Sequence, residues 1–419
     1  MSNLNATPAG ERIHIGLFGR RNAGKSSLIN ALTGQKLAVV ADIPGTTTDP
    51  VLKAMELLPL GPVLMMDTAG IDDTGELGIL RVQKSLQILN KTDIAILVID
   101  SSTGITEEDR KLLQRIQDKD LACVIVFTKA DITESTEDAA RSSAEANGKT
   151  APVPSLPASI PQISVSATTG KNIHELKELL AHTVPQKKAP WPICADLIAA
   201  GDTVLLVTPI DSAAPKGRLI LPQQQTIRDI IDAGASAIVT QEDNVTCALE
   251  NLKMPPAMVI TDSQAFGKVN KAVPPAIKLT SFSILMARHK GNLKQAVLGT
   301  AALNNLNDGD HILISEGCTH HRQCGDIGTV KLPKWIWDFT GKECKLSWTS
   351  GTEFPTDLSP YQLVIHCGGC MLNEREMQYR YRCAADQQIP MTNYGLCIAY
   401  THGILKRSLS VFPELAAKL

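Results

Sequence analysis

The sequence predicts an α/β chain of three consecutive domains, the first built on a mostly parallel sheet. Three observations carry that expectation. Apolar, strand-like runs alternate with helical stretches from Arg12 to about Thr183. A proline-bounded segment, Pro185 to Pro192, then reads as a linker, and Pro274-Pro275 punctuates the chain a second time. The length of 419 residues accommodates two or three domains, each with its own core. The expected limits are 1–186, 187–274 and 275–419.

The elements follow in order. Arg12 to Gly19 alternates and then runs apolar, as a buried strand does. After a glycine-rich turn, Ser26 to Thr33 reads as a helix closed by Gly34. Strands are expected at 63–66, 94–99, 123–127 and 163–165, with helices at 76–89, 107–116 and 172–182 between and after them. In the middle domain, Thr203–Ile210 is a strand and Gln225–Ala233 a helix ended by Gly234. Leu219 to Leu221 precede Pro222, so extended backbone is expected there. In the last domain, His311–Ser315 and Leu363–Ile365 are strand-like, and the stretch from Trp335 to Pro360 mixes strands with turns. Residues 138–159, rich in Ala, Ser, Pro and Gly, read as loosely ordered.

Charge and composition exclude several classes. The 41 basic residues are balanced by 43 acidic ones. That argues against holding nucleic acid through a broad basic surface. No apolar run approaches the roughly 20 residues that span a bilayer, and Met1 to Gly10 lacks a signal-peptide core. A cytoplasmic protein away from the membrane is expected. Ten cysteines are too sparse for a disulfide scaffold and point to metal instead.

The chemistry begins at Gly19-Arg-Arg-Asn22-Ala23-Gly24-Lys25-Ser26-Ser27, a phosphate-binding loop placed after a strand and opening a helix. Its amides and the helix N-terminus cradle a polyphosphate. Lys25 reaches the β- and γ-phosphates, and the Ser26 hydroxyl binds Mg²⁺. Asp67-Thr-Ala-Gly70 follows the next strand, so Asp67 can hold Mg²⁺ through water and the Gly70 amide can sense a γ-phosphate. Thr128-Lys129-Ala-Asp131 ends another strand; a carboxylate there accepts both the N1–H and N2 hydrogens of guanine. Ser166-Ala167-Thr168 resembles the loop that supports the base. Four such motifs, each at a strand's C-terminal end, identify a GTP site.

This constellation resembles the Era/TrmE branch of GTPases over roughly Arg12 to Thr183. The resemblance implies that Thr47, in Gly45-Thr46-Thr47-Thr48-Asp49, supplies the second Mg²⁺ hydroxyl. Ile71 stands where Ras-type enzymes place a water-orienting Gln, so slow intrinsic hydrolysis is expected. Asn22 matches the asparagine that helps coordinate K⁺ in that branch, which implies K⁺-stimulated hydrolysis. Thr128 stands where most such GTPases carry Asn; its hydroxyl can still tie the base loop to the phosphate loop.

A second cluster lies near the C-terminus: Cys318-Thr-His320 and, far downstream, His366-Cys367-Gly-Gly-Cys370. Each half follows a strand-like run, so the two can converge at one end of a sheet. Cys318, Cys367 and Cys370 are the expected ligands, with His320 and His366 competing for a fourth place. Donor type allows a structural Zn²⁺ or a [4Fe–4S] cluster with an exchangeable fourth ligand. Of the other thiols, Cys123, Cys194, Cys247, Cys344, Cys383 and Cys397 read as buried structural residues, while Cys324 lies near enough to Cys318 to be a further candidate ligand.

The pairing of these motifs resembles the HydF family, the GTPases of [FeFe]-hydrogenase maturation. The resemblance implies a GTPase domain, a central α/β dimerisation domain and a C-terminal α/β domain carrying a [4Fe–4S] cluster. It implies a homodimer that receives a di-iron precursor from radical-SAM maturases and delivers it to the apo-[FeFe]-hydrogenase. The alternative is an Era/TrmE-like GTPase acting on ribosome or tRNA, with a structural zinc domain.

Overall fold

The computed structural model describes residues 7–34, 51–70, 82, 85–132, 157, 159–184, 191–209, 219–317, 326–351 and 353–417. The chain divides into two compact units, Met1–Lys187 and Lys188–Leu419.

The first unit is built on six strands: β1 (Ile13–Phe18), β2 (Val51–Leu57), β3 (Gly61–Asp67), β4 (Ile94–Asp100), β5 (Ala122–Thr128) and β6 (Gln162–Ser164). Their order is β2-β3-β1-β4-β5-β6. All neighbours are parallel except β2, which pairs antiparallel with β3. Alternate residues of β4 serve opposite faces, as a period of two requires. Ile94, Ile96 and Val98 pack with α1 (Lys25–Thr33) and the last helix of the unit, Ile173–Thr183. Ala95, Leu97 and Ile99 pack with the intervening helix α2 (Glu107–Asp118). We number the Ile173–Thr183 helix α3. A strand buried on both faces reads as one unbroken apolar run, which is why this sheet is legible in the sequence.

The second unit holds two all-parallel four-stranded sheets. One contains β7 (Thr203–Val207), β8 (Ser236–Thr240), β9 (Met258–Thr261) and β10 (Lys278–Ser281), in the order β10-β9-β7-β8. Its helices are α4 (Leu221–Asp232), α5 (Val245–Glu250), α6 (Phe266–Ala272) and α7 (Phe282–Lys290). After α8 (Leu293–Gly299) comes the other sheet, with β11 (His311–Ser315), β12 (Lys345–Thr349), β13 (Leu363–His366) and β14 (Met391–Asn393) in the order β12-β11-β13-β14. Around it lie α9 (Leu332–Thr340), α10 (Glu374–Asp386) and α11 (Tyr394–Thr401). One hydrophobic core joins the two sheets, taking Leu205 and Ile260 from the first and Leu313, Val364 and Met391 from the second.

Several expectations change here. The boundary placed at residue 274 falls inside the first of these sheets, because β10 lies beyond it and pairs with β9. Pro274-Pro275 stops α6 rather than a domain. The helix expected at Gln225 begins four residues earlier. Only Leu219 and Ile220 precede it; Leu221 is already helical, and Gln223 Oε1 reaches back to accept from the amide of the N-cap residue Ile220. Trp335 lies in α9, not in a strand-and-turn region. The β2, β8, β9, β10 and β14 strands were not foreseen. Of the expected 76–89 helix, residue 82 and residues 85–89 are described and helical. Ile210 and residues 138–156 lie outside the described residues, so those readings are not addressed.

Candidate functional site

The phosphate loop connects β1 to α1. Its path demands glycine twice: a Cβ on Gly19 would stand 2.3 Å from the Val98 carbonyl oxygen, and Gly24 turns into the helix at φ 90°. Asn22 also takes a left-handed conformation, φ 60°. Lys25 is buried, its Nζ donating to the Gly19 and Arg20 carbonyls at 2.9 and 2.7 Å. Ser26 Oγ donates to Asp67 Oδ2 at 2.7 Å, so two of the expected Mg²⁺ ligands touch. The other carboxylate oxygen, Oδ1, is buried with no hydrogen-bond partner. Burial holds the Asp67 carboxyl above its ordinary range, with the Ser26 bond and nearby Lys25 opposing it. An orphaned carboxylate oxygen beside a serine hydroxyl fits a hard cation with oxygen ligands.

The base side is tied to this loop as the threonine substitution requires. Thr128 Oγ1 donates to the Ala23 carbonyl at 2.6 Å. The Lys129 ammonium reaches Asp100 Oδ2 at 2.6 Å; Asp100, at the end of β4, was missed in the sequence because a lone carboxylate after a strand carries no motif. The Ala130 amide donates to the Val165 carbonyl, drawing the Asp131 segment to the Ser166-Ala167 loop. Ser166 is fully buried and its Oγ accepts from the Thr169 amide. Thr47, with its Mg²⁺ role, and Ile71 lie outside the described residues. Gly70 is buried and described.

In the second unit, β11 and β13 are adjacent and parallel, with Ser315 opposite His366. The strands that lead toward the two half-motifs therefore end at the same end of the sheet. The Cys367 amide donates to the Ser315 carbonyl, and Cys367 Sγ accepts from the amides of Gly317 at 3.0 Å and Gly369 at 3.4 Å. Side chains are excluded from this cradle. A Cβ on Gly317 would meet Leu372 at 2.8 Å, and one on Gly369, at φ 63°, would meet Met377 Sδ at 2.6 Å. Amides aimed at a cysteine sulfur are the hydrogen bonds that stabilise a metal-bound thiolate. The Cys367 surroundings fit that role. Cys318, His320 and Cys324 lie outside the described residues, and among the described residues no group of three or more Cys, His, Asp or Glu comes together.

His366 is placed differently from expectation. Its ring is fully buried, with Nδ1 donating to the Cys367 carbonyl at 2.7 Å and Nε2 accepting from Arg380 Nη1 at 2.9 Å. Burial, reinforced by the Arg380 charge, pushes the imidazole pKa down to about 3. The lone pair a metal needs is engaged by a guanidinium. His366 supports the cysteine turn instead of competing for the fourth place.

Arg380, like Asp100, was missed in the sequence. It is wholly buried and donates to Glu376, Ser315, His366 and the Gly351 carbonyl, while its guanidinium lies 5.0 Å from the Phe354 ring centroid. It thus joins the ends of β11 and β13. Lys290 enters from the other side, with Nζ donating to the carbonyls of Cys370 at 3.1 Å and Leu372 at 3.3 Å. Burial raises the Cys370 pKa, and the Lys290 charge opposes that. Of the thiols read as structural, Cys123, Cys194 and Cys397 are buried, Cys344 and Cys383 are half-buried, and Cys247 is exposed on α5.

The glycine-turned phosphate loop on a doubly covered parallel sheet, with its base-side segment, defines the first unit as a P-loop GTPase domain. Family models agree: residues 14–129 match a 50S ribosome-binding GTPase and residues 81–186 the GTP-binding domain of elongation factor Tu. Residues 193–291 match the hydrogen maturase F dimerization domain and residues 294–411 its tetramerization domain. These last two matches cover more than half of the chain, and the chain belongs to the hydrogen maturase F (HydF) family.

Three individual proteins to which the chain is similar each match part of it. The tRNA modification GTPase MnmE of Moorella thermoacetica is 37% identical over 169 residues, covering 40% of this chain and 34% of that protein. The GTPase Der of Prochlorococcus marinus is 40% identical over 143 residues, covering 32% of this chain and 30% of that protein. The chain thus spans about a third of the length of these curated relatives. The solved structure of Aquifex aeolicus Era bound to GDP and aluminium fluoride is 17% identical, with a TM-score of 0.33, covering 62% of this chain and 97% of that one. No helix among the described residues is long and apolar enough to cross a membrane.

Proposed function

We propose that the first unit binds and hydrolyses GTP, and that the second holds a [4Fe–4S] cluster on Cys318, Cys367 and Cys370. The chain then serves in the cytoplasm as scaffold and carrier in [FeFe]-hydrogenase maturation. In this reading it works as an oligomer, receives a di-iron precursor from radical-SAM maturases and passes it to the apo-hydrogenase. The single observation that carries the metal reading is the Gly317 amide on Cys367 Sγ. It brings the segment leading into Cys318 to the sulfur of the second half-motif.

In the nucleotide site the loop amides and the α1 N-terminus receive the phosphates, and Lys25 turns its ammonium from its own loop carbonyls to them. Ser26, Asp67 and Thr47 would hold Mg²⁺, which supplies charge neutralisation at the phosphate oxygens. Asp131 selects guanine by accepting two hydrogens that adenine does not present together. Ile71 carries no group to orient water, so hydrolysis is slow, and Asn22 makes it K⁺-stimulated. Faster turnover in K⁺ than in Na⁺ buffer is expected; equal rates overturn that part.

In the metal site three thiolates leave one iron with a replaceable ligand, as a temporary host for another iron unit requires. His320 is the remaining candidate for that fourth place, since His366 is engaged elsewhere. Anaerobic reconstitution with iron and sulfide tests the reading. A brown protein with a broad band in the visible blue, lost in Cys367→Ala, is expected. A colourless protein that binds zinc instead supports the ribosome- or tRNA-directed alternative. That alternative draws only on the first unit's relatives, whereas hydrogen maturase F models cover the rest.

A further inference from the structure

Lys290 ends a helix that is buried almost all round. Ile284, Leu285, Met286 and Ala287 of α7 are each at most 5% exposed, because the helix lies in the core shared by both sheets of the unit. Its C-terminal end is docked onto the lobe that carries the cysteine loop. Gly291 sits so close to Tyr381 of α10 that a Cβ there would stand 2.8 Å from the ring, and Gln378 Nε2 donates to the Gly291 carbonyl at 3.0 Å. This docking delivers the Lys290 ammonium to the two carbonyls that bracket Met371, just after the second cysteine of the pair. Lys290 itself is only 4% exposed. An ammonium is buried only at considerable cost unless its donors are used. Here at least two of them hold the turn.

We propose that Lys290 is a positioning residue of the metal site: it clamps the Cys367–Cys370 turn and places a buried positive charge beside the bound cluster. The clamp comes from the stretch matched as a dimerization domain, while the turn lies in the stretch matched as a tetramerization domain. The cysteine turn is therefore held by residues from both stretches. A thiolate-ligated cluster gains negative charge on reduction, so a nearby cation favours the reduced form and raises its potential. The charge role rests on the [4Fe–4S] reading above; the clamp does not.

The test compares full-length wild type with Lys290→Met, Lys290→Gln and Lys290→Arg, metal-free and after anaerobic reconstitution. In the metal-free chain, Lys290→Met is expected to raise the alkylation rate of Cys370 about tenfold, followed by mass spectrometry and corrected for the thiolate fraction from its pH dependence, because loss of the Lys290 charge by itself would lower that fraction. In the reconstituted chain it is expected to lose iron to a chelator about tenfold faster and to show a more negative midpoint potential. Lys290→Gln keeps a donor without the charge, so it should retain iron while its potential still falls. Lys290→Arg should restore both. GTP hydrolysis by the free chain serves as a control and should not change. Should Lys290→Met not fold, the Gln and Arg variants decide through potential and Cys370 labelling. Wild-type labelling, iron retention and potential in the Met and Gln variants would overturn the proposal while leaving the cluster reading intact. A wild-type chain that takes up no iron, with Cys370 still exposed by Lys290→Met, would overturn the cluster reading and the charge role and leave the clamp standing.

Discussion

Both candidate sites sit at the C-terminal ends of parallel strands, where open α/β sheets place ligands, yet different atoms hold them. The phosphate site is made by one contiguous loop whose amides, carbonyls and glycines do the shaping, with Lys25 as its principal charge. The cysteine turn is fixed by side chains that arrive from elsewhere: Arg380 from α10, Lys290 from α7 and His366 from the strand itself. In the first, the two carbonyls that Lys25 holds belong to the loop its ammonium leaves when phosphates bind, so loss of that side chain should cost the fold little. In the second, each charge removed should leave buried partners unmatched.

The largest effect is expected for Arg380→Met. It would strand the buried Glu376 carboxylate and withdraw donors from Ser315, His366 and Gly351, at about 3–5 kcal/mol of stability. All four tryptophans, Trp191, Trp335, Trp337 and Trp348, lie in the second unit. Urea unfolding followed by tryptophan fluorescence therefore reads that unit alone. An unchanged midpoint would break the comparison.

Lys25→Ala should do the opposite. GTP hydrolysis should fall by about 10²–10³-fold, as when a group facing transition-state charge is removed. Thermal unfolding of the chain, followed by circular dichroism, should barely move. A collapse of the fold would show that the loop also depends on its side chains.

Thr128→Val sharpens the contrast by testing one side-chain tie within the backbone-built site. Removing the hydroxyl takes a donor from the buried Ala23 carbonyl, worth about 1–3 kcal/mol. Guanine-nucleotide affinity should drop roughly tenfold, measured with a fluorescent GDP analogue, with guanine preference retained through Asp131.

The smallest effect is expected at Asp100. Burial pushes its carboxyl up, but hydrogen bonds from Lys129 and Ser102 hold it below the ordinary value. Its contribution to stability is thus complete above the ordinary carboxylate pKa and is lost as the pH falls through the lower folded value. Asp100→Asn should change unfolding near neutral pH by no more than about 1 kcal/mol and remove that part of the acid sensitivity. A larger loss would mean the Lys129 pair organises the base loop.

The difference between the two sites also governs how far each could be read in advance. Gly19, Gly24, Lys25 and Ser26 stand within one short segment, and Asp67, Thr128 and Asp131 each follow an unbroken apolar run; local sequence carries all of this. The β8, β9 and β10 strands were missed because they are short, and β8 is half-exposed along its length, so no apolar run marks it. Glu376 and Arg380 stand four residues apart, a spacing common to surface pairs on any helix, and Arg288-His289-Lys290 is a basic run of the kind that ends many helices. Neither spacing says that a partner lobe will bury them.

Sequence alone determined the nucleotide motifs, their order along a parallel sheet and the two half-motifs of cysteine and histidine, because these depend on short-range spacing and strand periodicity. Only the tertiary structure decided that the second and third expected domains share one core, that His366 faces an arginine and that a lysine from the preceding lobe grips the Cys370 turn. Those outcomes depend on which surfaces exclude water from one another, and burial of a charge is a property of everything packed around it.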